Sequence, residues 1–183
     1  TLNSSGGTVS FNITLTNSDT GTVSAGSGII SLTGGGANSG TFSVAADALL
    51  QIDSNFSFLD GPPFVGRGSI CVGNGTTSSI SGLLVNAGHL LLNSTGSLTD
   101  LVLIRDVTLA GNGVVRLIGA DRILGSGIFT NAGNRIEGET SNGGSLGANA
   151  IGIVNQSGGI IDANVSGLVL DVDPNSANGL VND

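Results

Sequence analysis

The sequence predicts an all-β chain coiled as a parallel β-helix of about eight rungs, and three observations carry that expectation. Glycine fills 32 of 183 positions and charged residues only 10%, against about 7% and about 25% in ordinary soluble domains. Short runs of alternating apolar and polar residues, bounded by Gly, Asn and Ser, recur along the chain. A loose unit centred on asparagine returns with a period of roughly 21–27, inside the range of solenoids.

The elements follow in chain order. Segment 8–15 alternates with period 2 throughout, as does 40–44, and both read as half-buried strands. Segment 45–50 is the one helix-prone hexamer; it is too short for a helix, and its neighbours Phe42, Val44 and Ile52 prefer strands. The stretches 84–90, 129–136 and 153–160 align with one another, and 15–23 and 37–42 are earlier versions of the same unit. Their asparagines are Asn17, Asn38, Asn86, Asn131, Asn155 and Asn182. The steps from Asn17 to Asn38, from Asn131 to Asn155 and from Asn155 to Asn182 are single periods, and the two long steps on either side of Asn86 are double ones. That counting makes them the structural asparagines of one repeat. Segment 54–68 breaks the rhythm with Phe56, Phe58, Pro62, Pro63 and Phe64. Consecutive prolines cannot continue a sheet ladder, so it reads as a loop excursion.

Competing architectures fit less well. A leucine-rich repeat requires leucines at fixed offsets, and a propeller blade needs about 40 residues with its own signature. An antiparallel β-sandwich is the alternative that accounts for the short strands, but it leaves the recurring Asn–x–Gly unit unexplained. The β-helix accounts for the composition as well. Glycine supplies positive φ at corners, stacked asparagines bond from rung to rung, and low charge avoids repulsion between rungs about 5 Å apart.

Composition also excludes classes of function. A net charge of −8 with scattered arginines gives no footprint for nucleic acid. Apolar runs are of strand length, so no membrane span is expected in this segment. A mean hydropathy of +0.36 with few charges argues against disorder. One cysteine permits no internal disulfide and no multi-thiolate metal site. The chain starts at Thr1 and stops inside its own pattern, so residues 1–183 read as one solenoid segment of a longer polypeptide.

The aliphatic–x–Asn–(x)–Gly–x–Ile/Leu unit at 84–90, 129–136 and 153–160, with its Gly-Thr-Val and Gly-Thr-Phe starts, resembles the β-helical passengers of bacterial autotransporters and filamentous-haemagglutinin-type adhesins. The resemblance implies a right-handed coil, export to the cell surface or extracellular space, and work as an adhesin stalk or filament subunit. It carries over no catalytic residue. The expected partner is the chain itself, end to end or within a longer solenoid, with a host or matrix glycan or protein as a further partner; no cofactor and no enzymatic activity are expected.

A second reading is a carbohydrate-binding or carbohydrate-cleaving β-helix. Its surface would be the loop residues Phe56, Phe58, Pro62, Pro63 and Phe64 together with Asp162, Asp171 and Asp173. Asp171 and Asp173 share one side of a strand, a spacing that also suits calcium. A third reading, ice binding, would need regular threonine ladders, which Thr14, Thr16, Thr20 and Thr22 offer only locally. His89, the sole histidine, reads as a solvated rung residue, and Cys71 as a small core residue. Candidate N-glycosylation acceptors are Asn3, Asn12, Asn55, Asn74, Asn93, Asn155 and Asn164.

Overall fold

A computed structural model describes residues 1–59 and 64–183. It is all-β, with no helix among the described residues, a parallel β-solenoid of about seven turns. All pairs of strands are parallel among the described residues, which excludes the antiparallel sandwich. From the short turn that sets Val23 beside Phe42 to the long one that sets Ile153 beside Leu180, each turn is one repeat of the sequence.

Each full turn lays strands on three faces. The first face stacks 2–4, 22–25, 41–44 and 64–65, continues across a Phe64↔Asn86 bridge, and runs on through 107–110, 128–131, 152–155 and 180–182. The second stacks 8–11, 28–32, 48–52, 69–72, 89–93, 114–119, 135–140 and 160–162. The third stacks 15–17, 36–38, 56–58, 78–80, 101–103, 121–125 and 145–146, then a bridge to Val172. Some strands turn a corner without ending. Thr22–Leu32 passes from the first face to the second at Gly28, whose φ is +76°. A Cβ there would stand 2.1 Å from the Gly7 carbonyl oxygen of the turn before, so only glycine fits.

The core is a set of columns running along the axis. Val9, Ile30, Leu50, Ile70, Leu90, Val115, Ile136 and Ile161 succeed one another in register on the second face. The column Leu32, Ile52, Val72, Leu92 and Leu117 runs beside it. The inner members of both are buried, and each such side chain contributes about 1.5–3 kcal/mol of apolar burial.

Several expectations are corrected here. Segment 8–15 is not one strand: Asn12, Ile13 and Thr14 make the corner, and Ile13 is 72% exposed. Ala48–Ile52 is a strand, as its β-preferring neighbours implied. Phe56–Phe58 and Phe64–Val65 are strands of the ladder, and Phe56, Phe58 and Phe64 point inward. Their ring centroids lie 5.9–6.3 Å from that of Phe42, so they fill the core and do not form a docking knob. Pro62 and Pro63 lie outside the described residues.

Candidate functional site

The asparagines form two ladders at two corners, not one. Asn17 and Asn38 follow the third face, and the Asn17 side-chain amide donates to Asn38 Oδ1 at 2.6 Å. Asn86, Asn131, Asn155 and Asn182 follow the first face. The Asn131 amide donates to Asn155 Oδ1 at 2.9 Å, and that of Asn155 to Asn182 Oδ1 at 2.8 Å. The long step from Asn38 to Asn86 is therefore two turns plus one side. Asn134, which the repeat alignment missed, joins this ladder: its N–H donates to Asn131 Oδ1, and its Oδ1 accepts from the Asn86 amide at 3.0 Å. Asn86 and Asn134 sit two turns apart, and they meet because the intervening corner is Gly111-Asn112-Gly113, where a Cβ on Gly113 would collide with Asn86. The signal for Asn134 was the Asn-x-Gly-Asn spacing of 131–134.

Apart from the exposed Asn182, these asparagines are buried and bonded to one another, so they hold corners and do not face a ligand. Asn155 is among them, which removes it as a glycan acceptor. Asn3, Asn12, Asn55, Asn74 and Asn164 are exposed, and Asn93 is partly so. Several are engaged as caps: Asn74 Oδ1 accepts from the Thr95 and Ser97 amides, and Asn164 Oδ1 from Gly138 N–H.

The candidate acids do not converge. Asp162 is on the second face, ion-paired to Arg135, which also holds Glu137 at 2.7 Å. Asp171 and Asp173 are exposed on either side of the half-buried Val172 on the third face. No cluster of three or more His, Cys, Asp or Glu suited to a metal occurs among the described residues. With Phe56, Phe58 and Phe64 inside, the surface required by the carbohydrate-cleaving reading does not assemble. The threonines of the ice-binding reading are dispersed too: Thr14 and Thr20 lie in corners, Thr16 on the third face and Thr22 on the first.

Cys71 is buried, but on the outer side of its strand, because Ile70 and Val72 take the inward positions. Burial pushes the pKa of its thiol up, against a smaller lowering by the Gln51 and Asn93 side chains. That is the opposite of an activated nucleophile. Asp121 is a fully buried carboxyl that the sequence reading did not single out. It accepts from Ser94 N–H at 2.9 Å and Ile118 N–H at 2.5 Å, closing the corner between the second and third faces. Burial pushes its pKa up to about 7; the two amides pull it down, and Glu139 and Asp100 push it further up. One Glu139 carboxylate oxygen is buried without a partner.

His89 is exposed, as expected, and lies in a groove of about 460 Å³ with Arg67 and Asn112. The groove runs over three successive corners between the first and second faces, 66–68, 86–88 and 111–113, each of three residues. Comparisons of the chain with protein-family models, curated proteins and solved structures found no match.

Proposed function

We propose that the chain is a structural element, an extracellular or cell-surface β-solenoid serving as an adhesin stalk or as a self-assembling filament subunit. One observation supports the reading most. Parallel pairing runs through all three faces for about seven turns with an apolar interior, so the molecule's main investment is a stiff, repetitive rod. The strand Leu180–Asn182 pairs on one side only, with Ile153–Asn155, and its residues are exposed. Such an edge takes a further parallel strand, supplied by continuing chain or by another copy. The reading assigns no catalysis and no cofactor. The net charge of −8 disfavours nucleic acid as a partner, and no helix of the described residues is long and apolar enough to cross a membrane.

Negative-stain electron microscopy across a concentration series tests the proposal. Eight strands on the second face at about 4.8 Å spacing give a repeat of roughly 40 Å. Fibres with that repeat make self-assembly the function, and short rods of that length make the chain a shaft. Particles without rod form, or protease cleavage spread through turns 22–155, would overturn both.

A further inference from the structure

The groove around Arg67 is unusual for this chain on charge grounds. The protein carries 13 acidic residues against 5 arginines. Arg122 is held by Asp100 in a two-pronged pair at 2.7 Å, and Arg135 by Glu137 and Asp162. Arg67 and Arg116 are exposed and make no ion pair or hydrogen bond among the described residues, but Arg116 stands in register beside Glu137. Arg67 belongs to the first of the three corners, Asn112 to the third and His89 follows the middle one, and no carboxylate among the described residues lines the space.

The dimensions suit a small ligand. A volume of about 460 Å³ lies within the usual range for such sites. The corners of Arg67 and Asn112 are two turns apart, roughly 10 Å at the inter-strand spacing. Apolar lining is confined to Ala87 and Val114, and no aromatic ring among the described residues lines the groove to stack a flat face. The amides between them are already spoken for: His89 N–H donates to the Gly68 carbonyl, and Gly88 N–H to Asn86 Oδ1. Recognition therefore falls to the side chains. They offer one guanidinium fork, which matches a planar carboxylate, plus an imidazole and an amide that suit hydroxyl groups.

We propose that this groove binds an acidic sugar unit, with its carboxylate on Arg67 and its hydroxyls on His89 and Asn112. The site is independent of how the rod assembles: it lies on the corner between the first and second faces in the middle turns, away from the strand Leu180–Asn182. It is also distinct from the Phe56–Phe64 and aspartate surface that the sequence suggested. An acidic polysaccharide end or side branch and a free uronic acid present the same group.

Amide NMR titration of the ¹⁵N-labelled chain tests it, with galacturonate, trigalacturonate, the methyl ester of the trisaccharide, and sodium sulfate as probes. The expected result is saturable shifts at Gly88, His89 and Gly113 with the acidic sugars and none with the ester. A trisaccharide that binds more tightly than the monomer identifies a polymer as the source; equal affinities identify the free acid. Arg67→Gln should weaken binding at least about tenfold, the loss of one charge-assisted pair, with the remaining amide spectrum unchanged. Arg122→Gln, on another face, should leave affinity intact. Absent saturation, equal shifts with the ester, equal binding of sulfate alone, or an indifferent Arg67→Gln would each overturn the assignment.

Discussion

Replacing Asn131 by alanine tests whether the corner amides are a structural device or ornament. Asn131 is 0% exposed, and both ends of its side-chain amide are engaged. Its Nδ2 donates to the Asn134 carbonyl and to Asn155 Oδ1, both at 2.9 Å, and its Oδ1 accepts from Asn134 N–H at 3.0 Å. Truncation leaves Asn134 N–H and Asn155 Oδ1 without those partners inside the protein. Each unsatisfied buried group costs about 1–3 kcal/mol, so a loss of about 3–5 kcal/mol is expected. Asn131→Asp keeps the volume but sets an oxygen where the donor was, facing two acceptors, and should cost at least as much. Urea denaturation gives the total, and native-state hydrogen exchange its location. Because each turn contacts only its neighbours, faster exchange should be confined to 107–162, with the columns at 30–92 still protected. Asn3→Ala, at an exposed position, should stay within about 0.5 kcal/mol. A loss below about 1 kcal/mol for both Asn131 variants would refute the reasoning, since it would mean water serves the corner as well as the ladder does.

Three further perturbations probe the core, a buried acid and a corner. Phe58→Ala removes a buried ring whose centroid is 5.3 Å from that of Phe64 and 5.4 Å from that of Phe56, and should cost about 3–5 kcal/mol by chemical denaturation; a loss near zero would show that the cluster is not packed. Asp121 has a folded pKa of about 7 against an ordinary 3.8. Its stabilisation is therefore fully present below pH 3.8 and lost as pH rises through about 7, by up to about 4 kcal/mol. Urea midpoints should fall from pH 4 to pH 8 in the native chain, and Asp121→Asn should flatten that slope whatever its absolute stability. Gly28→Ala forces a Cβ against the Gly7 backbone and a positive φ on alanine, and should lower the thermal midpoint by more than Gly26→Ala, at an exposed position without positive φ where the nearest atom to a Cβ is 3.4 Å away.

The coil was legible because its chemistry is repetitive, but the period was easier to read in apolar residues than in asparagines. Ile30/Leu32, Leu50/Ile52, Ile70/Val72 and Leu90/Leu92 recur at one constant interval and mark the second face. Asparagine is a weaker ruler, since it serves any corner where a side chain must satisfy turned backbone. The ladder moves from the corner after the third face, at Asn17 and Asn38, to the corner after the first, at Asn86 onward. At the vacated position Asn38 is followed in register by Phe58, Ile80 and Leu103, so an apolar column replaces the amides. The phenylalanines were misplaced for a related reason. Their proximity to Pro62 and Pro63 suggested a loop, whereas Phe56 and Phe58 alternate inward like any other strand residues.

Sites on such a rod are illegible in a linear scan because inward positions obey the repeat and outward ones need not. Arg67, His89 and Asn112 are each a full turn apart in sequence and share no motif. Only the register, with Ser69 opposite His89 and His89 opposite Val114, brings their three turns together. Three corners of equal length stack their outward residues across successive turns, and no run of the sequence shows that stacking. An insertion of one glycine after Ala87 makes the middle corner longer than its neighbours, moves His89 from its place between Arg67 and Asn112, and should abolish the trigalacturonate shifts while leaving the aliphatic columns protected from exchange. Retained binding would mean that Arg67 and Asn112 suffice without a fixed place for His89 between them.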